Sequence, residues 1–528
     1  MFRKWLVALP TAAALMAAAS AGEAAERGGT LVVGLEAAIG FLDPHTSNSG
    51  NTHRVNDQIF ERLFSRDYTI PNDGSPPPIL PRLATGFEVS SDALVYTISL
   101  REGVKFHDGT AFDADAVEFN IRRMWDKDFE FFTEGSTQGG DTWNSLKTIE
   151  VLDSHTIRLT MFQPFAFFIE KLATTIGLGM NWMGSPTAFK KHGNEEIKNH
   201  PTGTGAFRFV ERVRGQRVVL ERNRDYWDDQ YPLLDRLIFR EMPEASTRVN
   251  ALLAGEVGQI AVVPPDQLKP LEAAGYTIAK GPTPHSWFVN FNHSEPPFSD
   301  VRVRHAVNLA IDREGMAETL LQGSSLPAIC FCAQTSPTFN PPPDWAGYDY
   351  DPEKAKALLA EAGYADGFET IFETSTEGSG QIMPVQIAEW IQRDLAKVGI
   401  DVKLQTYEWL TYVGRWYGGM TPEIGMNQIS TGSNEDYWVW QLAHPDGVLN
   451  SGHLVDPEFG DLLDGANRAT DKEERDALIL QAVKREKEQA HHAPIVNDQF
   501  PVAMAANVKG FVRPADWTVD YRIVWIDE

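Results

Sequence analysis

The 528-residue chain carries 47 lysines and arginines against 73 aspartates and glutamates, a formal net charge of −26. So acidic a surface disfavours nucleic acid and anionic membranes as partners, because both are themselves dense in negative charge. With only two cysteines, Cys330 and Cys332, a disulfide scaffold is excluded and apolar burial must hold the fold.

Arg3 and Lys4 precede an apolar run from Trp5 to Ala19 and then the small residues Ser20 and Ala21. A positive start, a short apolar stretch and a small-residue site predict a cleaved secretory leader over residues 1–21. The run falls short of the roughly 20 apolar residues that a membrane helix needs. No cysteine stands at its end to take a lipid, so the mature protein is expected to be exported, soluble and not lipid-anchored. The remainder, about 500 residues, is too long for one hydrophobic core and predicts two or three compact units.

Gly29 to Leu35 reads as a short apolar strand, followed from Phe41 to Gly50 by a loop of turn formers and small polar residues. Thr69 to Pro81 is rich in proline and predicts a connection. Val95 to Leu100 alternates as a strand, and His107-Asp108-Gly109-Thr110 forms the turn before a helix that Asp113 caps, with Asp115 in its first turn. His107 is assigned to that turn as scaffold rather than to acid–base work. Thr156 to Met161 adds a strand. From Gly203 to Met242 the pattern is strand, Arg214-Gly215 turn, strand, loop, strand, and Glu244 to Gly255 is a helix ended by glycine. The glycines of PTGTGAF lack the GK[ST] and helix start of a phosphate cradle.

Ser286 to Glu314, SWFVNFNHSEPPFSDVRVRHAVNLAIDRE, sets Trp287, Val289 and Phe291 against Phe288, Asn290 and Asn292, as in a strand. Pro296 and Pro297 stop it, because proline offers no ladder N–H. Ser299 is expected to cap the following helix, whose apolar positions Val303, Ala306, Val307, Ala310 and Ile311 recur at helical spacing. Asp351 caps the next helix, with Pro352 at its first position and Gly363 at its end. Ile387, Ile391, Leu395 and Val398 form another helical stripe, ended by Gly399 and followed at once by the strand Ile400, Val402, Leu404. Helix and strand alternating in this way predict an α/β fold, a crossover-built sheet covered by helices. A last, strongly charged helix is expected near Lys472 to Gln489. A disulfide between residues two apart is strained, so Cys330 and Cys332 read as a local loop feature, with a strained oxidised form as the alternative.

No GxSxG elbow, HExxH, CxxC, Walker loop or GxGxxG turn is present. His491 and His492 are adjacent and point apart on any regular element. Carboxylate pairs carry no information among so many acids, and an extracytoplasmic hydrolase is left without positive support.

Several stretches together carry a resemblance. They are NxxxPPFxDxRVRxAxxxAIDRE from Asn292, LREGVKFHDGTAFDADAVEFN, PTGTGAFRFVERVRGQRVVLERNRDYW with ALLAGEV, YDPEKAKALLAEAGYADGF, and IQRDLAKVGIDVKLQTYEW. In this order they resemble the family 5 solute-binding proteins of bacterial ABC importers. The resemblance implies a two-lobed periplasmic binding fold, type II and cluster C-like, with an extra subdomain in lobe I. Domain I would be residues 26–285 plus 498–528, with the subdomain near 68–200, and domain II residues 286–497. It implies a periplasmic binder that closes on a short peptide or an amine-bearing, amino-acid-derived solute and passes it to inner-membrane permease subunits. An opine or nickel chelate is the alternative ligand. The chain is expected to be a monomer, no enzyme, without cofactor or bound metal.

By the same resemblance Asn48, Ser49 and Gly50 reach the ligand cleft, and Trp409 matches a pocket position. Asp436 falls where an aspartate accepts a peptide's ammonium group, a charge-assisted bond, and Tyr437 and Trp438 would flank the bound group; Trp440 reads as core. Dipeptide binders carry an arginine shortly after the strand near Phe372. Here the chain reads ETSTEGSGQ, with Glu373 and Glu377 and no arginine, so Glu377 is the ligand candidate and the expectation moves to longer peptides or amine-bearing solutes.

Overall fold

A computed structural model describes residues 27–46, 49–72, 77–133, 143–165, 167–173, 181–330, 347–431, 437–514 and 518–527. Two large mixed sheets and one small antiparallel sheet organise them. The first sheet has seven strands, in the order Thr277–Ala279, Val502–Met504, Gln259–Ile260, Thr30–Leu35, Arg236–Glu241, Arg217–Arg222, Phe207–Val213. Thr30–Leu35 lies at its middle, parallel to both neighbours, with Leu31, Val33 and Leu35 buried.

The second sheet has six strands: Ser325–Pro327, His492–Asp498, Ser286–Phe291, Ile424–Thr431, Phe368–Ser375, Ile400–Tyr407. Every residue of Ser286–Phe291 is buried, as a central strand covered on both faces requires. The helix that follows is Val301–Ala310, and its cap is Asp300, whose carboxylate accepts from Arg302 N, not the expected Ser299. The shift is one residue, because the carboxylate of Asp300 already reaches the free N–H two positions on. The crossover read from the sequence is present: Phe368–Ser375 and Ile400–Tyr407 are parallel and joined by helix Pro384–Ala396.

The third sheet, Ala84–Val89, Val95–Leu100, Thr156–Met161 and Leu146–Asp153, is antiparallel throughout. Helix Ala114–Trp125 covers it, and Asp113 Oδ1 accepts from Ala116 N at 2.9 Å as predicted. Asp113→Ala is expected to cost about 1 kcal/mol of stability, read as a lowered urea midpoint at unchanged m-value. His107 is scaffold: its Nε2 meets Gly205 O at 2.9 Å, and burial lowers its pKa to about 4, leaving it neutral.

The glycines of PTGTGAF are explained by close approach of backbones. A Cβ on Gly203 would sit 2.2 Å from Ile59 O, and one on Gly205 2.4 Å from Gln58 O. They let this loop lie against the end of helix Gly50–Ile59.

One apolar core runs from the first sheet, through Leu31, Val33 and Phe239, to Trp287 and Val289 of the second and Ile391 on the helix that covers it. Another joins Ile98 and Leu159 of the small sheet to Trp409, Tyr412 and Trp416 on helix Trp409–Gly418. The two lobes therefore touch in this structure. Cys330 is buried and disulfide-bonded, the oxidised form that the sequence reading holds as the alternative to a plain loop feature; Cys332 lies outside the described residues. Among the described residues no helix is long and apolar enough to cross a membrane.

Candidate ligand-binding site

Two stretches of chain run side by side where the lobes meet, one ahead of Ser286 and one from Asp498. Asp498 N donates to His285 O at 3.0 Å, Thr283 Oγ1 to Asp498 O at 2.7 Å, and Gly281 N to Gln499 O at 3.2 Å. Strand directions then bring polar residues to one edge of the second sheet. Ser286 pairs across the ladder with both Thr431 and Asn497, and Ser375 pairs with Tyr407 at the end of Phe368–Ser375.

The loop after Ser375 crosses to the first lobe. Gly380 N donates to Glu36 Oε1 at 2.9 Å, and Glu36 follows directly on strand Thr30–Leu35. The same carboxylate takes Arg54 Nη1 at 3.2 and 3.0 Å, while Arg54 also reaches Asn51 Oδ1 at 2.8 Å. Asn51 in turn donates to Ala37 O at 3.0 Å. Glu36, Asn51 and Arg54 are all buried, so helix Gly50–Ile59 and the end of the first central strand are fixed to each other.

On its other side the loop is fastened to the second lobe. Ser430 N donates to Gln381 Oε1 at 2.9 Å, and Gln381 Nε2 donates to Ser430 O at 2.7 Å. Gly378 lies against Trp409, close enough that a Cβ would fall 2.5 Å from the indole Cε3. Trp409 is 5% exposed and begins a helix that Glu408 caps by accepting from Thr411 N. Ser379, between the two glycines, thus stands between Glu36 and Trp409.

Buried polar atoms are normally hydrogen-bonded. Around this seam several are not: Ser49 Oγ, Ser286 Oγ, Ser379 Oγ, Trp409 Nε1, and both side-chain heteroatoms of Asn497. Ser49 is the N-cap residue of its helix, yet its hydroxyl makes no capping bond. These are neutral donors and acceptors, matched to amide and carbonyl groups rather than to bare charges.

Asp498, behind them, accepts from Ser325 Oγ at 3.0 Å and from Ser430 Oγ. The indole N–H of Trp287 faces the same carboxyl without reaching full hydrogen-bond geometry. Burial pushes its pKa up to about 7, against an ordinary 3.8, and the serine bonds only partly oppose it. Much of the population near neutrality therefore holds an uncharged carboxyl.

Of the residues proposed from sequence, Ser49 and Trp409 stand at this seam, and Gly50 is the first residue of the helix that Ser49 precedes. Glu377 is half-buried in the crossing loop and accepts from Thr376 Oγ1 at 2.6 Å. Asn48 and Asp436 lie outside the described residues; Tyr437 and Trp438 open helix Tyr437–Ala443, and their side chains lie outside the description too. Trp440 donates to Asp464 Oδ1 at 2.8 Å and stacks on His444, a structural placement. Sequence reasoning missed Glu36, Ser286, Ser379, Gly380, Asn497 and Asp498. The signal for the last two was an Asn-Asp pair ending the apolar run HAPIVND.

The family profile of bacterial extracellular solute-binding proteins, family 5 Middle, matches residues 78–450. Heme-binding protein A of Haemophilus influenzae is 30% identical over 511 residues, covering 90% of this chain and 88% of that protein. A dipeptide-binding protein of Pseudomonas aeruginosa is 29% identical over 506 residues, covering 89% and 90%. Among solved structures, the periplasmic binding protein DppA of Helicobacter pylori in complex with the peptide STSA superposes with a TM-score of 0.85. The two are 27% identical over 95% of this chain and 99% of that one. Sequence, fold and the polar seam between two lobes agree: the chain belongs to the bacterial extracellular solute-binding proteins, family 5.

Proposed function

We propose that the protein binds a short peptide, or another amide- and amine-bearing solute derived from amino acids, between its lobes and delivers it unaltered to membrane permease subunits. Family 5 proteins are periplasmic and work with ABC-transporter permeases, and the relatives are binding proteins rather than enzymes. For this chain the reading includes a cleaved leader at 1–21, action as a monomer, and lobes made of 26–285 with 498–528 and of 286–497.

The observation that carries the reading is the set of unpartnered, buried, neutral polar atoms at the interlobe seam, Ser49 Oγ, Ser379 Oγ and Trp409 Nε1 foremost. A peptide backbone presents one N–H and one C=O per residue, which is the complement such a set requires. Arg54, the buried guanidinium beside the seam, is already engaged by Glu36, which favours ligands held by backbone bonds over those needing a bidentate carboxylate clamp. Asn48, Asp436, Tyr437 and Trp438 remain proposed contacts, with Asp436 taking the ammonium group. Binding to both lobes selects the closed form, and no bond is made or broken.

Mass spectrometry of solute retained through purification, followed by calorimetry with that solute, tests the proposal. Trp409→Phe keeps one aromatic ring and removes the indole N–H, so affinity should fall roughly tenfold, about 1.4 kcal/mol, alongside a stability loss of about 1–2 kcal/mol from the smaller buried ring. Equal affinity in wild type, Trp409→Phe and Ser379→Ala would remove the seam from the site, and turnover of the solute would refute the transport role.

A further inference from the structure

A separate cavity of about 260 Å³ opens in the first lobe at the far end of helix Gly50–Ile59, lined by residues from Asp57 to Thr69, by Tyr226 and Tyr231, and by Thr518 to Arg522. A helix of that length places it about 15 Å from Ser49, and it shares no lining residue with the interlobe seam. It is built from charged side chains whose hydrogen-bonding capacity is unevenly filled.

The buried carboxylates are saturated. Asp57 accepts from Arg62 Nη2 at 2.7 Å, Trp182 Nε1 at 2.9 Å and Thr518 Oγ1 at 2.7 Å. Glu61 accepts from Tyr226 OH at 2.8 Å, Trp227 Nε1 at 3.0 Å, Thr204 Oγ1 at 3.0 Å and Arg82 Nη2 at 3.2 Å. Asp520 takes Arg522 Nε at 2.8 Å and Nη2 at 2.5 Å.

Two of the guanidinium groups, Arg62 and Arg82, are not saturated, whereas Arg522 bonds through all three nitrogens. Each carries five N–H donors and no acceptor. The Arg62 side chain is only 4% exposed, sets its Cζ 4.5 Å from the centre of the Trp182 ring, and uses Nη2 alone; its Nε has no partner. Arg82 likewise bonds through Nη2 alone, to Glu61 and Tyr226. Both cations are ion-paired, Arg62 with Asp57 and Arg82 with Glu61, but each keeps N–H donors beside acceptors that are already filled, and a guanidinium donor is best met by an added carboxylate oxygen. Asp67 and Asp228, half-buried at the rim and engaged by Thr69 and Gln230, weigh against a dianion. Phe60, Leu80 and Val519 in the wall suit an apolar body behind the charge.

We propose that this cavity is a second ligand site, independent of the interlobe cleft, for a small monocarboxylate with an apolar or aromatic body, its carboxylate on Arg62 and Arg82. The proposal does not rest on the transport reading.

Benzoate is the probe, benzamide its neutral isostere and 4-bromobenzoate the locator. Calorimetry should show one saturable benzoate site per chain and no benzamide binding. Arg62→Gln should weaken benzoate at least about tenfold while leaving affinity for the retained transport solute unchanged. Because Arg62→Gln also disturbs Asp57, Ala206→Leu serves as the second variant: it narrows the void with both arginines in place and should abolish benzoate binding in a chain that still unfolds cooperatively, with affinity for the retained transport solute unchanged. In crystals the bromine signal should lie in this cavity. Equal binding of benzamide, unchanged benzoate affinity in a folded Arg62→Gln or Ala206→Leu chain, or a bromine signal confined to the interlobe seam would each overturn the proposal.

Discussion

Glu36→Ala is expected to lower the unfolding free energy by about 3–5 kcal/mol, because it strands the buried Arg54 without its counter-charge. The side chain holds two connections at once: Arg54 within the first lobe and Gly380 N across the seam. Removing it leaves a buried cation without its carboxylate and a buried N–H with no acceptor, and both costs are of desolvation already suffered. Glu36→Gln separates the two roles. Its amide oxygen still accepts from Gly380 but cannot neutralise Arg54, so it should recover part of the loss. Urea unfolding reads the stability. Small-angle scattering without solute reads the lobes, which should open further in Glu36→Ala than in Glu36→Gln. A Glu36→Ala chain within about 0.5 kcal/mol of wild type, the ordinary range for a surface change, would show that the pair contributes nothing net.

Much of the scaffold was legible in the sequence because its signals are local. Asp113, Glu244 and Asp351 all accept from N–H groups at helix starts, and Gly363 and Gly399 close helices in left-handed conformations. The stripe Ile387, Ile391 and Leu395 is buried on its helix. Family motifs supplied the two-lobed architecture. The seam was less legible, since Glu36 and Gly380 stand 344 residues apart and nothing local marks either as half of a contact. ETSTEGSGQ drew notice for lacking an arginine, whereas its structural content lies in the backbone N–H of Gly380 and in Gln381 bridging to Ser430. Asp300 displaced Ser299 as a cap for a simpler reason: two good capping residues are adjacent, and only the path of the chain after Pro297 chooses between them.

Asp498 gives the clearest pH signature. Its carboxyl titrates at about 7 in the folded chain and near 3.8 ordinarily, with burial as the cause. The folded state therefore holds this proton more tightly than the unfolded state does. Stability from this group is full at low pH, declines as pH rises from about 4 to about 7, and is flat above, a total of about 4 kcal/mol. Glu486, buried near His491 and His492, is also pushed up to about 7 by burial, so the wild-type curve falls for two reasons in one window. Asp498→Asn isolates the first. The amide resembles the protonated carboxyl in shape, its oxygen can accept from one serine, and the other hydroxyl can turn to accept from the new N–H₂. Near pH 4 the variant should match wild type within about 1 kcal/mol; at pH 8 it should be the more stable by up to about 4 kcal/mol. Urea unfolding from pH 4 to 8.5 measures the difference. If the gap between the two proteins stays constant across that range, Asp498 is ionised throughout, and the seam between the lobes holds a buried anion that Ser325 and Ser430 suffice to stabilise.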